Sequence, residues 1–443
     1  MTIFALSSGN GISGVAVIRI SGPETKNILK MLTKSELPEP RKATLLKMNN
    51  INTSELIDEG IILWFPGPNS YTGEDMAELH VHGGKSIIKE IQNTISSTKK
   101  CRLAEPGEFT KISFLNGKIN LLKAEAIGDL ISAETEIQRK QALNIIKGKS
   151  YLKFKNLREQ LIKILSHIEA KIDFPEDEIP DELISKIKND LSEIENDISK
   201  ILDDQKIGER IRLGFKIAIV GPPNTGKSSL MNYLSKREIS IVSDIAGTTR
   251  DILETHLNFD GYPVIISDTA GIRESKDVIE NKGIKLALKK AEDADLKIII
   301  IEPKSVDFQR FFGKYLKENS LLVINKCDLG EISTLKSLKK FNPIKISIKD
   351  EMNIDQLINR IKENMKLNFS VQEDIFITRE RHRENLEECL KNLISFRNKS
   401  NLKEFDKAAE DLRLATRHLG KIIGKVDVEE ILASIFNDFC IGK

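Results

Sequence analysis

The period of the apolar positions changes three times along the chain. From the amino terminus to about Gly117, β-like runs (Val15-Ala16-Val17-Ile18-Arg19-Ile20 and Ile61-Ile62-Leu63-Trp64-Phe65) alternate with turns such as Pro66-Gly67-Pro68-Asn69-Ser70. This predicts a mixed α/β domain. From about Asn120 to Glu209 turn residues thin out and the period becomes helical. Leu157, Leu161, Leu165, Ile168 and Ile172 share one face, and Ile184, Ile187, Leu191, Ile194, Ile198 and Ile201 form a second stripe, which predicts two long antiparallel helices. Between them the segment 173–180 carries Pro175 and Pro180, each lacking an amide hydrogen and disfavouring helix before it. Short apolar runs then return at 215–220, 263–267, 297–301 and 321–324, separated by helical stretches, the pattern of a parallel sheet with crossover helices. From about Thr378 the pattern is helical again, through 386–396, 405–419 and 428–439. The economical architecture packs the two helical stretches together around an inserted α/β block.

Composition narrows the class. The 443 residues carry 68 Lys plus Arg against 66 Asp plus Glu, a net charge of +2, with 40% hydrophobic and 30% charged residues. This is the profile of a multidomain globular protein without a uniformly basic surface. Cys101, Cys327, Cys389 and Cys440 are scattered, with neither a C-x-x-C pair nor a His at ligand spacing, so no disulfide framework or structural zinc site is expected. The apolar streak at 298–301 falls far short of a membrane span, and the first residues lack a basic, then apolar, leader, so a cytoplasmic protein is expected.

The strongest chemical signal is Gly221-Pro222-Pro223-Asn224-Thr225-Gly226-Lys227-Ser228, which follows an apolar run and leads into Ser229-Leu230-Met231. It is a complete phosphate-binding loop: glycines let successive amides point at the phosphates, Lys227 reaches the β/γ oxygens, and the Ser228 hydroxyl ligates Mg2+. Downstream, Asp268-Thr269-Ala270-Gly271 ends one apolar run, suiting a carboxylate that holds the metal through water and an amide that approaches the γ-phosphate. Asn325-Lys326-Cys327-Asp328 ends another, and the carboxylate of Asp328 can accept from the N1 and amino hydrogens of guanine, which adenine does not offer in that arrangement. Ser347-Ile348-Lys349 follows a further apolar run and suits a loop that contacts the guanine oxygen. Four such motifs in order, each at the end of an apolar run, define a guanine-nucleotide domain. Between the first two lies Ser243-Asp244-Ile245-Ala246-Gly247-Thr248-Thr249, where Thr249 can complete the Mg2+ shell and let go after hydrolysis. Ile272 stands where Ras-like proteins carry a water-orienting Gln, so the attacking water needs another guide.

Residues outside these motifs resemble the MnmE (TrmE) family of tRNA-modifying GTPases. The resemblance runs through Arg19-Ile20-Ser21-Gly22, Tyr71-Thr72-Gly73-Glu74-Asp75 with Glu78 and His82-Gly83-Gly84, Glu105-Pro106-Gly107-Glu108-Phe109-Thr110, Asn116-Gly117-Lys118, Ala124-Glu125-Ala126 and the terminal Cys440-Ile441-Gly442-Lys443. It implies a multidomain α/β plus all-α protein. An N-terminal α/β domain (1–118) would bind a tetrahydrofolate and dimerise, a discontinuous helical bundle would occupy 119–210 and 372–443, and a Ras-like P-loop G domain with a doubly wound sheet would be inserted at 211–371. The implied activity is K+-activated GTP hydrolysis, coupled with an FAD-containing partner, MnmG, to modification of carbon 5 of the wobble uridine (position 34) in certain tRNAs. The implied one-carbon carrier is 5,10-methylenetetrahydrofolate or 5-formyltetrahydrofolate, contacted by Arg19, Glu78, Lys118 and Lys443. The chemistry is sensible, since guanidinium and ammonium groups suit the folate's carboxylates and carbonyls, and a carboxylate suits the pterin's NH donors. The family's K+ would be held by Asn224 and by the switch residues Ser243, Ile245 and Thr248, and its water-bridging acid maps to Glu280. The turn Ser8-Gly9-Asn10-Gly11-Ile12-Ser13 departs from the Pro/Arg/Gly-rich turn of many members.

Other readings stand beside this one. His80 and His82 have the spacing of a metal pair on one face of a strand, but no carboxylate or Cys completes a site with them, and a packed or hydrogen-bonded pair is the commoner case. Cys440-Ile441-Gly442-Lys443 has the wrong Gly and terminal Lys for a prenylation box. The Leu and Ile stripes read as bundle core. A ribosome-assembly G protein would carry an RNA-binding module, whose signatures the flanking segments lack. A folate-dependent transferase regulated by its G domain is a further alternative.

Overall fold

The computed structural model describes residues 1–9, 11–173, 181–222, 224–237, 239–240, 254–268, 291–303, 316, 319–329, 338–369, 375–399, 405–426, 432, 435–436 and 439–442. The chain divides into two compact units, one of residues Met1–Gly128, Tyr151–Asp190 and Lys391–Lys443, the other of Asp129–Ser150 and Leu191–Leu390.

The first unit is built on a six-stranded sheet of β1 (Thr2–Leu6), β2 (Ser13–Ser21), β3 (Thr44–Asn49), β4 (Leu56–Phe65), β5 (Met76–Gly83) and β6 (Cys101–Leu103), in the order β3-β4-β5-β2-β1-β6. Only β1 and β6 pair in parallel. Period-two alternation sorts the side chains. Ala16, Ile18 and Ile20 of β2 and Ala77, Leu79 and Val81 of β5 are buried in a core completed by Ile28, Leu29 and Leu32 of the helix Thr25–Thr33 and Ile91 and Ile95 of the helix Lys85–Ser97. The same alternation sends Arg19, Glu78 and His80 to the opposite face. A separate core joins Leu121 and Ala124 to Leu432, Ile435, Phe436 and Phe439, so the chain's last described residues pack on this unit.

Most residues of the two stripes read as bundle core are buried. In the helix Lys149–Asp173, Leu157, Leu161, Ile164 and Ile168 are buried. Ile164 takes the place expected for Leu165, because steps of four, three and four keep one face toward the core. Ile187, Leu191, Ile194, Ile198 and Ile201 of the helix Asp181–Leu202 are all buried. Ile172 is half-buried, and the side chain of Ile184 lies outside the described residues.

The second unit carries a seven-stranded sheet of β7 (Phe215–Val220), β8 (Ile239–Ser240), β9 (Glu254–Phe259), β10 (Tyr262–Asp268), β11 (Leu296–Ile301), β12 (Ser320–Ile324) and β13 (Ile344–Lys345), in the order β13-β12-β11-β7-β10-β9-β8. The four expected runs, as β7, β10, β11 and β12, are parallel, and β13 joins them in the same direction. Their near-continuous apolar character follows from burial on both faces: Phe215, Ile217, Ile219, Ile298 and Ile300 enter one core, and Ala218, Val220, Ile299 and Ile301 the other. The difference from an all-parallel sheet is an antiparallel edge of β9 and β8. Asp260-Gly261 turns β9 into β10 with both φ angles positive, 52° and 89°, the two-residue hairpin geometry that Asp-Gly favours.

Candidate functional site

In the second unit every described motif residue lies at the carboxyl edge of the parallel strands, where open α/β sheets hold their ligands. β7 ends at Val220 and Gly221 follows. A Cβ there would lie 2.1 Å from the Ile300 carbonyl oxygen of β11, so only glycine fits beside that strand. The loop then turns through left-handed residues, Asn224 (φ 63°) and Gly226 (φ 97°), the alternation that aims successive amides inward at an anion. Lys227 opens the helix Lys227–Arg237, is buried, and lays its ammonium across the loop, donating to Gly221 O at 3.0 Å and Pro222 O at 2.8 Å. Ser228 and Ser229 are exposed on the first helical turn. Thr225 Oγ1 closes the loop by donating to Pro222 O.

Asn325, directly after β12, is buried and bridges two loops. Its Nδ2 donates to Thr225 O at 2.8 Å, and its Oδ1 accepts from Ile348 N at 3.2 Å. Lys326 donates to Asn224 O and to Glu302 Oε2. Asp328 Oδ1 accepts from Ser347 Oγ at 2.9 Å, so the Ser347-Ile348-Lys349 loop orients the carboxylate expected to read guanine. Lys349 is exposed. Asp268 ends β10 opposite Ile219 of β7, beside the phosphate loop. Ser243, Asp244, Ile245, Ala246, Gly247, Thr248, Thr249, Thr269, Ala270, Gly271 and Glu280 lie outside the described residues. The residues present are compatible with a phosphate-bearing nucleotide: Gly221 and Gly226 let the loop close tightly, since a Cβ would meet Ile300 O at 2.1 Å and Asn325 Nδ2 at 2.3 Å, and Ser228 and Asn224 leave side-chain oxygens at the loop's surface.

In the first unit Arg19 and Glu78 are register partners across β2 and β5. Arg19 Nη2 and Nε both donate to Glu78 Oε1, at 2.8 and 3.1 Å. The guanidinium carbon lies 5.7 Å from the Tyr71 ring centroid and 5.6 Å from that of Phe109, within cation–π range. Burial pushes the Tyr71 hydroxyl's pKa up, against its hydrogen bond with Thr110. Lys118 is exposed and reaches the same Tyr71–Asp75 loop, its Cε 3.1 Å from where a Cβ on Gly73 would stand. The carboxyl-terminal tail docks here too: Gly442 O accepts from Ser7 Oγ at 2.8 Å and from Arg19 Nη1 at 3.2 Å, and Ile441 bridges to Pro106. Lys443 lies outside the described residues. Sequence reasoning missed Ser7 and the aromatic flanks of Arg19; the Tyr71 and Phe109 motifs were the available signal. A carboxylate, cations and aromatic rings gathered at one loop fit a planar heterocycle bearing acidic groups.

The two histidines have separate carboxylate neighbours, and only His82 is hydrogen-bonded to its own. His82 Nδ1 lies 2.8 Å from Asp58 Oδ1, and His80 Nε2 lies 3.6 Å from Glu78 Oε2. Among the described residues no group of three or more His, Cys, Asp or Glu side chains is placed to hold a metal ion. No described helix is long and apolar enough to cross a membrane.

The fold and this site define a P-loop GTPase that also carries an α/β amino-terminal domain and a helical domain. Two family models match, "GTP-binding protein TrmE N-terminus" over residues 2–118 and "MnmE helical domain" over residues 121–440. The chain is 63% identical over 443 residues to the tRNA modification GTPase MnmE of Pelagibacter ubique (strain HTCC1062), and 44% identical over 447 residues to that of Rickettsia akari (strain Hartford), covering 100% of both chains in each case. This chain belongs to the MnmE family of tRNA modification GTPases. Among solved structures, Era from Aquifex aeolicus bound to GDP.AlF4- is 27% identical over 40% of this chain and 66% of its own, with a TM-score of 0.29.

Proposed function

We propose that this protein is a cytoplasmic, homodimeric, K+-activated GTPase whose nucleotide cycle moves its G domains. With an FAD-containing MnmG partner it modifies carbon 5 of the wobble uridine of certain tRNAs, adding a carboxymethylaminomethyl or aminomethyl-type group, of which a tetrahydrofolate one-carbon unit supplies the single carbon bonded to the ring. The observation that carries the reading is the full-length relationship at 63% identity, together with a described nucleotide edge in which Asn325 ties the phosphate loop to the base-reading loop. Domain limits of 1–118, 119–210, 211–371 and 372–443 belong to the same reading.

Each residue's role follows from its chemistry. The loop amides and Lys227 hold the β- and γ-phosphate oxygens, and Asp328, oriented by Ser347, accepts from guanine's N1–H and amino group. Ser228 and Thr249 offer hydroxyl oxygens to Mg2+, and Asn224, Ser243, Ile245 and Thr248 offer oxygens to K+. These cations supply positive charge against that spreading over the transferring phosphoryl group. Glu280 orients the attacking water. Arg19, Glu78, Lys118 and Lys443 hold the folate, and it is the one-carbon folate that supplies the transferred carbon.

Mass spectrometry of tRNA nucleosides from cells with and without the gene tests the main claim; unchanged wobble-uridine modification would remove it. Equal GTP hydrolysis in Na+ and K+ would remove the cation claim. Reduced-folate binding that survives Arg19→Ala with Glu78→Ala would remove the folate site.

A further inference from the structure

His80 is the residue of the first unit that none of these roles absorbs. Its Nε2 is shielded from solvent and has no hydrogen-bond partner. A buried polar atom of this kind calls for a partner, and the strands beside it offer none, because the register places Val17 of β2 and Ile61 of β4 opposite His80. Glu78, two residues earlier on the same face, is half satisfied. Both Arg19 donors go to Oε1, while Oε2 lies 3.6 Å from His80 Nε2, outside hydrogen-bond range. With a carboxylate on that side, the imidazole proton is favoured on Nε2. An acceptor, Glu78 Oε2, therefore lies 3.6 Å from a shielded donor, His80 Nε2–H, that lacks a partner.

We infer that His80 and Glu78 together read the edge of a cyclic amide, with Glu78 accepting its N–H and His80 donating to its adjacent C=O. His80 is then a specificity-determining residue, selecting the 4-oxo, N3–H edge of a reduced pterin over a 4-amino ring, whose amino group would oppose the His80 donor. The inference rests on the folate reading above and adds to it a residue and a discrimination.

The test is equilibrium binding of the purified full-length protein to 5-formyltetrahydrofolate and to its 4-amino-4-deoxy analogue, for the wild type, His80→Leu and His80→Gln. The wild type favours the 4-oxo compound. His80→Leu weakens the 4-oxo compound by about tenfold while the 4-amino compound moves by less than about threefold, the size of one lost hydrogen bond. His80→Gln, which keeps an N–H donor, retains the wild-type discrimination and guards against a folding artefact in the Leu variant. Equal weakening of both compounds by His80→Leu, or an unchanged ratio, overturns the inference and leaves the folate site standing. A wild-type protein that binds neither compound overturns the folate reading, and the inference with it.

Discussion

Asn325 donates a 2.8 Å hydrogen bond to the carbonyl oxygen of Thr225, a hundred residues earlier, and through its other side-chain atom accepts from Ile348. One buried amide thus ties the loop proposed to hold phosphate to the loop proposed to meet the base. Replacing Asn325 with Ala leaves a carbonyl and an amide unsatisfied, each worth about 1–3 kcal/mol where water does not reach. The expected outcome is GDP affinity reduced by about tenfold or more, read by titration calorimetry. An Asn325→Ala protein that binds GDP as tightly as the wild type would show that the bridge does not organise the site.

The two loop glycines separate by what a Cβ would strike. At Gly221 it meets the Ile300 backbone at 2.1 Å, whereas at Gly226 it meets the Asn325 side chain at 2.3 Å and a left-handed φ of 97°. Both alanine variants are expected to lose nucleotide binding. Gly221→Ala is expected also to lower global stability by about 1–3 kcal/mol, because a strand must move rather than a side chain. Thermal unfolding of the two variants in parallel checks the order.

Much of this was legible from the residues, and the remainder has physical reasons. The parallel strands announced themselves because burial on both faces forces continuous apolar runs. The β9–β10 hairpin carried a signal in Asp260-Gly261, but Glu254-Thr255-His256-Leu257-Asn258-Phe259 lies next to the short edge strand β8, where only Leu257 and Phe259 are buried and the apolar pattern is thin. The phosphate loop was readable because its contacts are local. Arg19 with Glu78, Ser7 with Gly442 and Asn325 with Thr225 are separated by 59, 435 and 100 residues, and such register and docking are set by tertiary packing, which periodicity does not encode.

Asp58 makes stability depend on acid. Burial pushes its carboxyl pKa up, but hydrogen bonds from the His82 backbone and ring and from the Glu59 backbone outweigh it, and the net value lies below the ordinary carboxylate range. A folded-state pKa below the unfolded one adds stability that is present above about pH 4 and is lost as pH falls through the folded value. The melting-temperature gap between the wild type and Asp58→Asn should be full near neutrality and narrow below about pH 4. A gap that stays constant down to the acid limit of the folded protein would contradict this.

Arg383 anchors the edge of the second unit's sheet that lies opposite the phosphate loop. The buried guanidinium donates to Glu209 at 2.7 and 3.0 Å, to Asp204 Oδ1 at 2.6 Å and to Leu202 O at 3.0 Å. Glu209 belongs to the helix Ile207–Leu213, which leads into the start of β7, and Arg210 of that helix binds Asp295 just before β11. Removing one partner of a buried ion pair strands the others, at about 3–5 kcal/mol. Arg383→Met should therefore lower the urea midpoint of the full-length protein strongly, and adding Glu209→Gln and Asp204→Asn should recover part of the loss by removing the stranded charge. GDP affinity at 25 °C should stay within about threefold of the wild type, because the carboxyl ends of the strands, with Asn325 and Gly226, do not depend on this cluster. If affinity collapses in step with stability, the two edges of the sheet are energetically coupled and Arg383 helps to set the nucleotide site.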